Sequence, residues 1–220
     1  MSNTARTECT TTHARARIIR CVIWLLFGVY LCAAASASPD SGPGKPGLLN
    51  SERIQNTFGS YGVELLQSTP TRVSSLYSLE GDARITRTLA VVVFQQDIVA
   101  ALEPPLTAIL NGASLGATLK NSGWALSKRT RFIGDVPVGA RFRALAGLPP
   151  EAPPQAAAHV YELSVQTTDL EYPVATVLEI HHPDYLQRAD LQTLFKLLDS
   201  DEPLAESELQ RLLAIAEGRR

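Results

Sequence analysis

The chain has 220 residues, of which 45% are hydrophobic and 19% charged, and its formal net charge at pH 7 is −2. This is the composition of a globular protein, and the acidic balance argues against nucleic acid or an anionic membrane surface as the main partner. The cysteines Cys9, Cys21 and Cys32 all lie near the start of the chain. A domain formed by the later residues must therefore be stable without disulfides.

The N-terminal segment has the pattern of an export signal. Arg15, Arg17 and Arg20 precede an apolar run at 21–35, and the small residues at 35–37 match a cleavage site. The apolar residues at 21–37 fall short of the roughly 20 that a membrane-spanning helix needs. We therefore predict a signal peptide at 1–37 and a secreted bacterial protein in the periplasm. If it is not cleaved, 21–37 would anchor the domain to the membrane, facing the periplasm.

The next segments are a linker and the first elements of a domain. Residues 38–50 contain three prolines and three glycines and are predicted to be a flexible linker, with the globular domain at 51–220. Ser51 is placed to cap a short helix that ends at Phe58. Runs rich in β-branched and aliphatic residues at 62–66, 72–79 and 84–94 then predict an antiparallel meander.

The second half of the chain alternates between helix and strand patterns. Apolar spacing predicts a helix at 104–121, and alternation at 124–133 predicts a half-buried strand. The proline-rich stretch at 147–158 is predicted to be a surface loop, followed by a hairpin from 159–167 and 174–181. Helices are predicted at 189–198 and 204–217. The pattern indicates a single α+β domain, with a mainly antiparallel sheet, a mid-chain helix and two C-terminal helices.

One motif suggests a serine nucleophile. The sequence at 112–116 fits GxSxG, and the order Ser114, Asp169 and then His181 or His182 is that of the α/β-hydrolases. That site requires a strand immediately before the serine, whereas we predict a helix there and hairpins on both sides. Small residues that let a helix pack closely on the sheet explain the motif better, and a serine hydrolase using Ser114, Asp169 and His182 is the alternative.

A second cluster contains residue types that bind metals. His181, His182 and Asp184 lie close in sequence, and His159 is expected across the hairpin from one of the histidines. Consecutive strand residues point to opposite faces, so His181 and His182 can share a metal only if the strand has already ended. We expect one histidine to pack in the sheet, and a metal site of His159, His181, His182 and Asp184 is the alternative.

Charged residues suggest one more candidate. Lys128, Arg129 and Arg131 could form a basic patch for a small anionic ligand or an acidic protein surface. Glu162 and Glu179 could approach each other across the last hairpin, although exposed, outward-facing positions explain them better.

No constellation has both the spacing and the context of an active site. We therefore predict an exported, non-enzymatic periplasmic binding or assembly protein without a cofactor. Its partner would be a protein or a small anionic ligand and not nucleic acid, with a membrane involved only if the signal is uncleaved. The alternatives are the serine hydrolase and the metal-dependent protein described above.

Overall fold

Six strands form one antiparallel sheet in the structure, a computed structural model that describes residues 47–168, 170–195 and 203–219. The strands are β1 (Gly62–Gln67), β2 (Arg72–Glu80), β3 (Ala83–Phe94), β4 (Ala125–Pro137), β5 (Gln155–Gln166) and β6 (Glu171–His181). Their spatial order is β1-β2-β3-β6-β5-β4. The predicted α+β class with a mainly antiparallel sheet is confirmed. The predicted signal peptide lies outside the described residues.

Six α-helices accompany the sheet within the described ranges. They are α1 (Asn50–Phe58), α2 (Glu103–Leu110), α3 (Leu115–Asn121), α4 (Ala140–Leu145), α5 (Arg188–Leu194) and α6 (Glu206–Ala216). None of the helices in these ranges is long and apolar enough to cross a membrane. The predicted mid-chain helix is in fact two helices, because Gly112 adopts a φ of +105° and the chain leaves the helical path there.

Both faces of the sheet are covered by helices. On one face, Leu178 and Ile180 of β6 belong to a core with Phe142 of α4 and Leu212 of α6. On the other face, α2 and α3 cover one region and α1 and α5 cover another. This second face, which we call the inner face, carries the polar residues described below. Burial on both faces explains why β3 and β6 contain long apolar runs.

The register of the last hairpin differs from the prediction. β5 begins at Gln155, inside the stretch predicted to be a loop, and its residues Ala156–Ala158 pair with β4. These alanines are buried in the core. The loop therefore ends at Pro154 and not at residue 158 as predicted. His159 consequently lies opposite Glu179 and not opposite a histidine.

Candidate functional site

A cavity of about 50 Å³ lies between the inner face of the sheet and the first turns of α1 and α3. Leu49 and Asn50 line it from the α1 side, and Ser114 and Gly116 line it from the α3 side. Gly116 allows this close approach, since a Cβ there would lie 3.1 Å from Leu49 Cδ2. The volume exceeds what one water molecule requires, and the cavity is partly open to solvent, so it can hold a few heavy atoms of a ligand whose remainder extends toward the opening.

The cavity exists because the floor of the sheet carries small side chains at this point. Ser74 of β2 pairs with Ala90 of β3, and Ala90 pairs with Glu179 of β6. Since directly paired residues of an antiparallel sheet point to the same face, these three side chains form one row on the inner face. The hydroxymethyl and methyl groups leave room that larger side chains would fill.

Arg72, one of the residues lining the cavity, is a buried cation that has no anionic partner among the described residues. Only 2% of its surface is exposed, and its Nη2 donates a hydrogen bond of 2.9 Å to the Ala113 carbonyl. Its Nε has no hydrogen-bond partner, and none of the described carboxylates lies within ion-pair distance. Burial lowers the pKa of Arg72, with Tyr61 opposing this effect, yet an arginine remains charged at neutral pH. Such a group is costly unless an anion binds it.

Two hydroxyl groups lie beside Arg72 on the same cavity. Ser74 Oγ and Tyr61 Oη are both buried, and neither has a hydrogen-bond partner of good geometry in the described part of the chain. Burial raises the pKa of Tyr61, although the nearby Ser114 hydroxyl opposes this, so the phenol stays protonated. Buried polar atoms normally have partners, so Arg72 Nε, Ser74 Oγ and Tyr61 Oη have hydrogen-bonding capacity to offer to a polar group in the cavity.

Glu179 of β6 lines the cavity beside Ala90 of β3, with which it pairs. It accepts hydrogen bonds from Asn50 Nδ2 at 3.3 Å and from the Tyr161 hydroxyl at 3.4 Å. Burial by itself would raise the pKa of Glu179, but the positive charge of Lys128 opposes it, and the pKa lies below its usual value. Glu179 is therefore a buried, ionised acceptor.

Two neutral histidines lie near Glu179, His159 opposite it on β5 and His181 two residues along β6. His159 Nε2 lies 3.0 Å from Thr130 Oγ1, and His181 Nδ1 lies 3.1 Å from Thr88 Oγ1. Burial lowers the pKa of His159 to about 3 and that of His181 to about 4, although Glu179 opposes both shifts. Both imidazoles are uncharged at neutral pH.

The neutral histidines predict that the protein loses stability in mild acid. Unfolded histidine has a pKa near 6.5, so the unfolded chain binds protons below that pH that the folded chain does not. We expect the free energy of unfolding to fall as pH drops from 6.5 to 5, by up to about 1.4 kcal/mol per pH unit for each histidine. Urea unfolding across this range measures it. A slope that is unchanged in His181→Asn would contradict this assignment.

The predicted serine site is not assembled. Ser114 lies at the cavity on the inner face, beside Tyr61. His182 lies beside the Ala146 backbone, which belongs to the core on the opposite face. Asp169 lies outside the described residues. The element before the serine is helix α2 and not a strand, so the structure lacks the required strand-to-helix turn.

The metal candidates are also spread apart. His159 and His181 bond to threonines on the inner face, whereas His182 faces the other side and lies 3.9 Å from the exposed Asp184. No group of three or more histidine, cysteine, aspartate or glutamate side chains could hold a metal ion among the residues that the structure describes. Glu179, which lies opposite His159, was predicted to be exposed but is only 6% exposed.

The basic patch divides between the two faces. Arg129 Nη1 lies 3.7 Å from Glu162, and Arg131 also pairs with Glu162, so these two cations have an acidic partner. Lys128 points to the inner face and lines the cavity. Glu162 lies opposite Thr176, so Glu162 and Glu179 do not form a pair.

Most of the site could not be found in the sequence. Arg72, Ser74 and Tyr61 lie in a stretch that predicts only strands and turns. The alternation Arg72, Ser74, Leu76 places polar and apolar side chains on the same face, which gives no indication of a cavity. A charged residue inside the apolar run of β6, Glu179, was the one usable signal.

Comparisons with known proteins give fold likenesses only. No family model matches the chain, and no curated protein matches it. The effector domain of PhnF from Mycobacterium smegmatis has a TM-score of 0.34 and 15% identity, covering 57% of this chain and 78% of that one. The C-terminal domain of the histidine utilization repressor from Pseudomonas syringae has a TM-score of 0.32 and 11% identity, covering 58% and 89%.

A third structure, the C-terminal domain of Yurk from Bacillus subtilis, has a TM-score of 0.31 and 15% identity, covering 57% of this chain and 87% of that one. These neighbours are an effector domain and the C-terminal domains of a repressor and of Yurk. These neighbours contradict the expectation of an exported periplasmic binding or assembly protein, which is therefore wrong. TM-scores below 0.5 assign neither a ligand nor an activity to this chain.

Proposed function

We propose that this protein binds a small organic anion in the cavity on the inner face of the sheet. The observation that carries this is Arg72, a guanidinium that is 2% exposed and has no carboxylate partner among the described residues. A ligand carboxylate would supply the missing charge and would accept hydrogen bonds from Arg72 Nε, Ser74 Oγ and Tyr61 Oη.

The other residues that line the cavity indicate the chemical character of the rest of the ligand. Val63, Val92 and Val177 are among the lining residues, so the body of the ligand is apolar. At the far end, Glu179 and Lys128 carry opposite charges that balance each other. Among the residues that line the cavity, a single negative charge on the ligand, placed at Arg72, therefore balances the one remaining positive charge.

A panel of small acids and their amides tests this proposal. Acetate, butyrate and benzoate are compared with acetamide, butyramide and benzamide by ligand-observed NMR and by thermal unfolding of the purified protein. We expect at least one acid to bind and to stabilise the fold, by about 2.7 kcal/mol at 100 times its Kd, and each amide to bind far more weakly. Equal binding of acids and amides, or no binding by any of the acids, would overturn the proposal.

A further inference from the structure

Lys128 stands out as an amine at the far end of the cavity. It pairs with Leu163 of β5, whose side chain belongs to the core under α2 and α3, so Lys128 points to the inner face. Its neighbour Arg129 pairs with Glu162 on the opposite face. One residue of the basic run is thereby half-buried on the inner face.

The ammonium of Lys128 contacts aromatic rings and has few polar partners among the described residues. Its Nζ lies 4.4 Å from the centre of the Tyr161 ring and 5.9 Å from that of Phe195. It donates no hydrogen bond to a described residue and has no described carboxylate within 4.0 Å. Burial lowers the pKa of Lys128, and Glu179 opposes this. Lysines in desolvated pockets of this kind are the ones that act as nucleophiles toward carbonyl groups.

We propose that Lys128 forms an imine with an aldehyde or ketone group of the anionic ligand. The inference rests on the proposed function, since Arg72 would hold the carboxylate while Lys128 meets the carbonyl. Arg72 lies on β2 and Lys128 on β4, four strand spacings apart, which is roughly 19 Å between the backbones. Both side chains reach inward, and the ligand must carry its carbonyl well separated from its carboxylate.

Glu179 would act as the general base and then as the general acid of this reaction. The Lys128 ammonium first passes a proton to Glu179, by way of one water molecule, which leaves a neutral amine. The amine nitrogen bonds to the carbonyl carbon, and a proton moves from that nitrogen to the oxygen to give a carbinolamine. Protonated Glu179 then returns its proton to the hydroxyl, the carbon–oxygen bond breaks and water leaves. The product is a protonated imine beside ionised Glu179, with no oxidant or reductant required.

Reductive trapping with 4-formylbenzoate tests this proposal. Cyanoborohydride reduces the imine to a stable secondary amine, and peptide mass mapping locates it among Lys45, Lys120, Lys128 and Lys196, the four lysines of the chain. We expect Lys128 to be labelled at least about tenfold faster at pH 7 than the exposed Lys120, because a carboxylate held at Arg72 would keep the aldehyde beside the Lys128 amine.

Two comparisons identify the cause of the labelling. 4-Methylbenzaldehyde, which has no carboxylate, should not distinguish Lys128 from Lys120, and Arg72→Met should slow only the labelling of Lys128. Labelling that is equal at all lysines, or faster at Lys120, would overturn the proposal. If benzoate binds but Lys128 is not labelled, the proposed function stands, and Lys128 serves only as the charge partner of Glu179.

Discussion

The Arg72→Met variant should bind the best acid of the panel at least about 30-fold more weakly than the unaltered protein, with little change in folding stability. Truncating one member of a buried charge pair costs about 2 to 5 kcal/mol of binding free energy. Stability should change little, because the variant loses one hydrogen bond to the Ala113 carbonyl but no longer buries an uncompensated guanidinium. Titration of the acid and urea unfolding measure the two quantities.

Arg84→Met is the matched control for this prediction. Arg84 is exposed and lies 3.5 Å from Glu64, away from the cavity. A surface ion pair of this kind contributes about 0 to 1 kcal/mol, and its loss should leave anion binding unchanged. If both variants bind the acid equally well, Arg72 does not hold the ligand. If both lose binding equally, the effect is one of general charge and not of the cavity.

The Ala90→Leu variant should abolish binding while leaving the fold intact. Ala90 lies on the cavity floor between Ser74 and Glu179, where the added carbons have open space to enter. Because they fill a cavity and do not displace packed neighbours, we expect no loss of unfolding free energy, or a gain of up to about 1 kcal/mol. The measurements are the acid titration and the thermal midpoint.

Ala158→Leu provides the same change at a packed position. Ala158 is fully buried on the face covered by α4 and α6, where it belongs to the main core. Overpacking there should destabilise the fold by about 1 to 3 kcal/mol. A similar loss in both variants would mean that the floor near Ala90 is already filled by protein atoms and would contradict a ligand cavity at this place.

The secondary structure was largely readable because local patterns determine it. Alternation and β-branched runs located β2 and β3, and apolar spacing located α6. The errors arose where tertiary contacts override local preference. Gly112 divides one apolar pattern into two helices, and the alanines after Pro154 look like loop residues yet enter a strand because β4 and β6 flank them. Composition alone cannot report such pairing.

The sequence by itself determined the α+β class and the antiparallel sheet, because strand and helix periodicities are properties of neighbouring residues. It also singled out Lys128 and Glu179, but assigned both to the surface. Only the tertiary structure decided that they share a cavity with Arg72, since that depends on strand register: a shift of one residue would move each side chain to the opposite face. That Arg72 has no carboxylate partner within the described ranges is visible only after every strand is in place.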